Sequence, residues 1–418
     1  MSAERTKKKV PGQYADTPVE SLNLEAGVPQ YSTIIDRNCL KAREKGLRCP
    51  EDHPRYITFT GTSTNRLARS SCRRRAEELA AQLPDAVENR LVTSRYTVPP
   101  WRHVQALDVF PDLPGIKGRM DTVEKKQAAA QARINELNAD IVIYTDGSAS
   151  AGCKMGGAAA VITCGDYVGE TIMKRGREIT CSYEEEKEAL ELALDWKDEN
   201  NIDDPILVAT DSQSLCQALL GTNPELSTLR SRLATSPASV TIQWIPGHSE
   251  ITGNEVADAV AKHATTLDEQ PGAISYKGVS ALINATITDP PISHERTKIV
   301  YSKLSKKNEM KIKTRKDEVL LAQLRSGKHK AFGDYKVKLD PNADPSCCLC
   351  DAPLLDLKHW LTECDGTLEA RFRLFGDPDL GLNALTSHPQ ESVVLARETL
   401  LVEGSLALVP AAPTSARQ

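Results

Sequence analysis

The middle third of this 418-residue chain predicts an α/β fold, a five-stranded mixed sheet flanked by helices, between two mainly α-helical regions. From about residue 139, short β-rich runs alternate with helices in the order strand, strand, strand, helix, strand, helix, strand, helix. Two of these runs, IVIYTD and PILVATD, are continuously apolar before an acidic end, which is typical of strands covered on both faces. The flanking regions carry helical periodicity instead, as in RRRAEELAAQL and KKQAAAQARINEL.

Composition divides the chain into five regions. They are a helical region 1–138, an α/β domain 139–269, a Pro-containing linker 270–295, a basic helical region 296–400 and a disordered Pro/Ala/Ser tail 401–418. Within the first region, the sequence Pro99-Pro100-Trp101 interrupts the helical pattern.

No apolar run is long enough to cross a bilayer, which argues against a membrane protein. The start, MSAERTKKKVPGQYADTP, lacks the apolar stretch of a secretory signal. We therefore expect an intracellular, non-secreted protein, nuclear or cytoplasmic, whose cysteines are free thiols or metal ligands.

Charge is unevenly distributed along the sequence. Residues 139–269 are acidic, whereas closely spaced Lys and Arg residues occupy the stretch from Arg296 to Lys338. Such a stretch can bind nucleic acid phosphates, but taken alone it is equally consistent with a solvated helix face.

Two aspartates end buried strands. Asp146 ends IVIYTD and Asp211 ends PILVATD. Ligands gather at the carboxyl ends of parallel strands, so these side chains converge if the strands are neighbours. Individually, Asp146 is equally consistent with a turn at Gly147, and Asp211 with a helix cap. Their joint occurrence favours a site.

Two helices add further polar groups. In SYEEEKEALELALDW, Glu186 is in line with the apolar stripe and faces the sheet, while Glu184 and Glu185 point elsewhere. The alternative is that Glu186 lies near enough to the helix start to interact with the helix dipole and remain hydrated. The last helix carries Asn254 and Asp258 on one face.

The loop before that last helix contains His248. A single loop histidine is usually a solvated surface residue, and only the neighbouring acids favour a functional role. Four acids at one sheet edge would repel each other unless cations hold them ionised. Oxygen ligands select Mg²⁺ or Mn²⁺, and two such ions roughly 4 Å apart catalyse phosphodiester hydrolysis.

The series YTDGS, a helix glutamate, TDSQS, GH and GNEVAD resembles type 1 ribonuclease H, over about 130 residues. The resemblance implies Asp146, Glu186, Asp211 and Asp258 as metal ligands, and His248 as a proton shuttle or product-release residue. It also implies an RNA–DNA hybrid as substrate, whose RNA strand is recognised through successive 2′-hydroxyls.

The resemblance further implies a set of substrate contacts. They are predicted at Gly147, Ser148, Ser182, Gln213 and Asn254. Many family members carry a basic helical protrusion that holds the DNA strand, but GTNPELSTLRSRLATSP is short and weakly basic. We expect the basic stretch after Arg296 to substitute for it.

A cysteine-rich segment follows between residues 347 and 364. Cys347, Cys350, His359 and Cys364 have the spacing C-x₂-C-x₈-H-x₄-C, which suits a structural Zn²⁺ site, with Cys348 as a spare thiol. The alternative is a group of buried cysteines in a helical domain.

The order of an H domain and then LRSGKHKAFGDY, CCLC and HWLTEC resembles the C-terminal end of a non-LTR retrotransposon polyprotein, and residues 1–138 resemble its reverse-transcriptase-derived connector. The predicted function is therefore two-metal hydrolysis of the RNA strand of hybrids during reverse transcription, with a reverse transcriptase as a possible partner. The alternatives are a catalytically silent nucleic-acid-binding remnant and a DNA-cutting integrase or resolvase. The GHSEITGNEVAD ending favours ribonuclease H over the last of these.

Overall fold

The computed structural model describes residues 17–61, 71–92, 107–116, 121–164, 167–268, 272–302, 314–377 and 379–400. The chain divides into two compact units, Met1–Ile34 with Asp289–Gln418, and Ile35–Thr288. The predicted break at Pro99-Pro100-Trp101, part of the basic stretch (303–313) and the tail 401–418 lie outside the described ranges. None of the helices within these ranges combines the length and apolar character that a membrane span requires.

The sheet strands are β1 Val109–Phe110, β2 Ile141–Ser150, β3 Lys154–Cys164, β4 Tyr167–Arg175, β5 Ile206–Thr210 and β6 Val240–Trp244. The helices up to the end of the sheet region are α1 Val19–Glu25, α2 Tyr31–Leu47, α3 Pro54–Thr60, α4 Cys72–Ala80, α5 Val123–Leu137, α6 Ser182–Glu199, α7 Gln213–Leu220, α8 Ser227–Thr235 and α9 Thr252–Ala264. The later helices are α10 Tyr276–Thr286, α11 Glu295–Val300, α12 Arg315–Ser326, α13 Gly333–Leu339, α14 Leu368–Phe375, α15 Ala384–Ser387 and α16 Pro389–Thr399.

The strands form one mixed sheet in the order β1-β6-β5-β2-β3-β4. Strands β2, β3 and β4 are an antiparallel meander, whereas β5 runs parallel to β2 and β6 runs parallel to β5. This arrangement confirms the predicted mixed sheet flanked by helices. It also adds a sixth strand, β1, which comes from the region before residue 139 and pairs in parallel with β6.

Both faces of the sheet are covered, which explains the apolar runs in the sequence. On one face Ile143 and Val208 pack with Leu190 and Leu194 of α6. The other face belongs to a second core, centred on Tyr144 and its neighbours. It contains Val142, Tyr144, Val161, Leu207 and Ala209 of the strands, Ile134 of α5 and Ala257 of α9. Successive strand residues therefore enter opposite cores, as the two-residue period of a strand requires.

A smaller core in the same unit lies beside the sheet. Ile179, which precedes α6, packs with Leu40 of α2, Leu79 of α4 and Leu282 of α10. The helices before and after the sheet region thus share a core with the segment that leads into α6.

The other unit has its own core around Trp360, which is fully buried. Phe332, Leu361 and Leu385 belong to this core, and so does Cys364. Helix α1 belongs to the same unit, where the Ser21 and Thr297 hydroxyls are hydrogen-bonded at 3.0 Å. The cysteine-rich segment is therefore part of a hydrophobic core.

Candidate active site

Asp146 and Asp211 are neighbours because of the strand register. Thr145 of β2 pairs with Thr210 of β5 in the parallel ladder, and each aspartate is the next residue. Adjacent strands lie about 4.8 Å apart, so the two carboxylates meet where β5 ends. Strand β2, however, continues past Asp146 to Ser150, so the prediction that Asp146 ends its strand was wrong. The two apolar runs in the sequence thus place their acidic ends side by side.

Glu186 joins these aspartates through a very close approach of helix α6 to strand β2. A Cβ added at Gly147 would lie 2.1 Å from the backbone nitrogen of Glu186, so only glycine permits this contact. The carboxylate oxygens of Asp146, Glu186 and Asp211 lie within 4.8 Å of one another. We call these three residues the carboxylate cluster.

The carboxylate cluster is buried and carries excess negative charge. Burial, followed by the charges of Asp211 and Asp258, raises the pKa of Asp146 to about 7. Burial, followed by the charge of Asp146, raises the pKa of Glu186 well above its usual range. Glu186 Oε2 has no hydrogen-bond partner within the described ranges. Such a site is costly unless a cation neutralises it.

Asp211 is held in place by three contacts. The indole Nε1 of Trp244 donates to its backbone oxygen at 3.1 Å. Burial raises the pKa of the Asp211 carboxylate, whereas the charge of His248 and a hydrogen bond with the Asn254 side chain lower it. A Cβ at Gly247 would lie 2.4 Å from Asp211 Oδ2, so the loop before His248 packs directly against this side chain. The position of Asp211 is thereby fixed before any ligand binds.

The fourth predicted acid, Asp258, is in a neighbouring group rather than in the carboxylate cluster. Its side chain, His248 and Glu255 place one ligand atom each within 4.8 Å of one another. Lys262 donates to Asp258 Oδ2 at 2.5 Å. Asp258 nevertheless lies close enough for its charge to raise the pKa of Asp146.

Sequence reasoning missed one member of this second group, Glu255, and also missed Lys262, the ion-pair partner of Asp258. Glu255 and Lys262 lie on the same helix as Asp258, and the spacing i, i+4 of Asp258 and Lys262 was a readable signal. His248 itself is exposed and has a positive φ of 49°, a conformation that costs a non-glycine residue about 1 kcal/mol or more. The loop therefore holds His248 in a specific backbone conformation beside the acids.

The residues that were predicted to contact the substrate lie on different elements around the carboxylate cluster. Ser148 is on β2 beyond Asp146, and Ser182 is the first residue of α6. Asn254 is 3% exposed, and its Oδ1 lacks a partner in the described part of the chain. The Gln213 side chain donates to Pro111 and Asp112, in the segment that contains β1.

A second buried glutamate precedes Glu186. Glu185 is 4% exposed, accepts a hydrogen bond from Thr180 at 2.5 Å, and has its pKa raised to about 7, chiefly by burial. Cβ atoms at Gly156 and Gly176 would each lie within 2.3 Å of its carboxylate. Helical periodicity placed Glu185 away from the sheet face, but the β3–β4 hairpin covers it there.

In the other unit, four ligand-type side chains meet in the core. The Sγ atoms of Cys347 and Cys364 are 3.7 Å apart, those of Cys350 and Cys364 3.8 Å, and Cys350 Sγ lies 3.3 Å from His359 Nε2. These spacings are those of neighbouring ligands around a tetrahedral zinc. We call these four residues the cysteine–histidine cluster.

The cysteine–histidine cluster fits zinc by its electrostatics as well. Burial, followed by the hydrogen bonds of the Cys364 thiol with Cys347 and Cys350, raises the pKa of Cys364 to about 12, so a cation is required to stabilise its thiolate. Cys348 is exposed and lies outside the cluster. Each of the four predicted ligand positions therefore belongs to one compact group.

Comparison with known proteins agrees with this fold. Residues 138–266 match the family model for RNase H. Together with the strand order, this match identifies an RNase H-like fold in that segment. No curated protein matches the chain.

Solved structures similar to this segment include LC11-RNase H1 in complex with an RNA/DNA hybrid, at 20% identity over 30% of this chain and 99% of that chain, with a TM-score of 0.26. RNase H1 from the halophilic archaeon Halobacterium salinarum is 22% identical over 30% of this chain and 96% of that chain, with a TM-score of 0.26. A foamy viral protease-reverse transcriptase in complex with dsDNA is 19% identical over 31% and 96% of the two chains, with a TM-score of 0.26.

Proposed function

We propose that the α/β domain, residues 139–269, is an endonuclease that hydrolyses the RNA strand of RNA–DNA hybrids. The observation that carries this proposal is the carboxylate cluster, in which two buried acids and the half-buried Asp211 converge in a segment that matches the RNase H family. Buried carboxylates without cationic partners destabilise a fold, so their convergence indicates that they serve a ligand.

Asp146, Glu186 and Asp211 would hold divalent Mg²⁺ or Mn²⁺, with Asp258 as a further ligand at the rim. The unpartnered Oε2 of Glu186 and the exclusively oxygen donor set fit such ions. Two bound ions would supply an activated water and stabilise the leaving oxygen in phosphodiester hydrolysis.

Other side chains position and balance this site. The contacts from Trp244 and Asn254 orient Asp211, and Lys262 offsets the charge of Asp258. His248 is exposed at the rim within reach of Asp258, where it can carry a proton between the site and solvent. We assign it the role of proton shuttle or product release.

The competing proposal is a catalytically silent remnant that only docks nucleic acid. Docking requires positive charge and exposed hydrogen-bonding groups, and it gains nothing from three converging acids, two of them buried. The convergence of these acids, and the burial that raises the pKa values of Asp146 and Glu186, therefore favour the nuclease.

We propose a structural Zn²⁺ at the cysteine–histidine cluster. All four positions are protein ligands, which leaves none for a reacting water, and the cluster lies in the core with Trp360. In this proposal the metal stabilises the fold and takes no part in hydrolysis.

We also propose that the nuclease spans 139–269, that the chain derives from a non-LTR retrotransposon polyprotein, and that it acts during reverse transcription. The order of its motifs along the sequence supports this origin. The Lys and Arg residues between Arg296 and Lys338 would hold nucleic acid in place of the short, weakly basic segment around α8.

Incubation of the full chain with labelled RNA–DNA hybrid, double-stranded RNA and double-stranded DNA tests the nuclease. We expect cleavage of the RNA strand of the hybrid alone, dependent on Mg²⁺ or Mn²⁺ and abolished by chelator. Asp211→Asn should reduce the rate by about 10³-fold or more, since it removes a charge from the metal site. Cleavage of DNA, or of no substrate with either metal, would refute the assignment.

The same assay at increasing salt tests the basic stretch. Replacing Lys328 and Lys330 by Ala should weaken hybrid binding and flatten the salt dependence of KM, because fewer counterions are released. An unchanged slope would exclude these lysines as phosphate contacts.

A further inference from the structure

A segment outside the RNase H match forms part of the sheet beside the candidate site. Residues 107–116, which we call the strap, contain β1, whose Val109 and Phe110 pair with Ile242 and Gln243 of β6. Val109 and Leu113 are 7% and 4% exposed. The strap is thus anchored by backbone pairing and by buried side chains.

Hydrogen bonds from Gln243 also hold the strap in place. This residue is fully buried, and its Nε2 donates to the backbone oxygens of Phe110 and Asp112 at 3.3 and 3.1 Å. Arg133 donates to the Gln243 Oε1 at 3.0 Å, and its guanidinium carbon lies 4.8 Å from the centre of the Phe110 ring. These contacts make the strap an integral part of the fold rather than a detachable flap.

The strap in turn fixes the side chain of Gln213, two residues beyond Asp211. Gln213 Nε2 donates to the backbone oxygen of Pro111 at 2.9 Å and to Asp112 Oδ1 at 3.1 Å. An amide nitrogen has two hydrogens, so both are used. Rotating the amide by 180° would turn its oxygen toward two acceptors, which is repulsive. Gln213 Oε1 has no hydrogen bond among the described residues, and it is therefore left as a fixed acceptor.

We propose that Asp112 is a positioning residue, which with Pro111 makes Gln213 an acceptor of a hydrogen bond from the RNA strand. The inference rests on the proposed function. In the shallow groove of a hybrid two kinds of donor are available, the ribose 2′-hydroxyl and the guanine 2-amino group. The 2′-hydroxyl is the partner we assign, because every RNA nucleotide carries it whatever the base. A freely rotating glutamine would also offer its N–H groups, and would then discriminate less between donors and acceptors.

Kinetic tests use the full chain and hybrids with a single 2′-deoxy nucleotide moved along the RNA strand. For the wild type, a 2′-deoxy substitution at one position should lower kcat/KM by about 3–10-fold, which corresponds to the loss of one hydrogen bond. Gln213→Ala should lose a similar factor on the unmodified hybrid and become insensitive to that position. Asp112→Ala should show a reduced penalty at the same position, mainly through KM, whereas Asp112→Asn, which keeps an Oδ1 acceptor, should restore it.

Two controls separate this role from charge and from base recognition. Asp108→Ala removes an equivalent exposed charge from the strap and should keep the full positional penalty. Replacing guanosine by inosine removes the 2-amino group and should leave the rate unchanged at that position. The proposal would be overturned if Asp112→Ala kept the full loss of kcat/KM at the deoxy position or cleaved the hybrid faster than the wild type. It would also be overturned if inosine lowered kcat/KM and the 2′-deoxy substitution did not.

A second measurement does not depend on cleavage. In the wild type, the side-chain amide protons of Gln213 should exchange with solvent more slowly by NMR than those of the exposed Gln217 in the same helix. Asp112→Ala should abolish that difference. Equal exchange rates in the wild type would refute the positioning role even if no hybrid is cut, whereas slow exchange without cleavage would count only against the nuclease.

Discussion

The two ligand clusters differ in how the chain assembles them. The cysteine–histidine cluster comes from one short segment, 347–364, and its members enclose a site in the core of their unit. The carboxylate cluster draws Asp146, Glu186 and Asp211 from two strands and a helix, at an edge of the sheet. A closed cluster in which each ligand position is a protein side chain stabilises a fold when it binds its metal. An open cluster of carboxylates lowers the stability of the fold, but it can react with a substrate.

The largest effect should come from breaking the closed cluster. Cys364→Ser replaces a proposed zinc ligand in a fully buried position, and we expect this unit to lose about 5 kcal/mol or more of folding free energy, together with the proposed zinc. Metal analysis and chemical denaturation of the full chain measure both quantities. Cys348→Ser, at the exposed neighbouring thiol, should change neither. Identical zinc content in both variants would remove the zinc proposal.

A smaller loss is expected where the open cluster is assembled. Gly147→Ala places a Cβ 2.1 Å from the Glu186 backbone, and since backbone cannot move aside locally, we expect a loss of about 3 kcal/mol and of hybrid cleavage. Gly169→Ala is the matched strand control, since its Cβ would have its nearest neighbour at 3.8 Å. Thermal unfolding of the two variants compares them. Equal stability would show that α6 can shift away from β2 at little cost.

The smallest effect has the opposite sign. Asp146→Asn removes one of the repelling buried charges, so without metal at pH 8 it should stabilise the protein by about 2 kcal/mol. The pKa of Asp146 is about 7 in the folded protein and 3.8 for an unperturbed aspartate, so the cost of its charge is absent below pH 4 and complete above pH 7. The gain should therefore disappear at pH 4.

Denaturation in chelator at the two pH values measures this difference. Asp203→Asn, at an exposed position, serves as the control and should have little effect at either pH. A destabilised Asp146→Asn protein at pH 8 would mean that the cluster contains a cationic partner or protons that balance its charge.

The order of strands β2 to β6 and of helices α6, α7 and α9 could be predicted because each covered strand is a single apolar run. Helix α8, between α7 and β6, was not predicted. The convergence of Asp146 with Asp211 followed from the rule that ligands gather where parallel strands end, and Glu186 followed from helical periodicity. Strand β1 could not be predicted, since two residues carry no period and their pairing depends on β6, which lies far along the chain. For the same reason the sequence did not show that Gln213 contacts Pro111 and Asp112.

The burial of Glu185 was also beyond helical periodicity. A helical wheel shows which side chains face the sheet, but Glu185 is enclosed by a hairpin that passes over the start of the helix. The grouping of Asp258 with His248 and Glu255, and its ion pair with Lys262, did not follow from the motif match either.

Strand β1 has one more consequence, for how the protein can be shortened. Its pairing with β6 satisfies backbone N–H and C=O groups that would otherwise be unpaired at a sheet edge next to Trp244. A polypeptide starting at residue 138 keeps every acid of the site yet leaves that margin open to strands of other molecules. Self-association of such a fragment would then reflect the missing ten-residue strap, and loss of solubility could be mistaken for loss of catalysis.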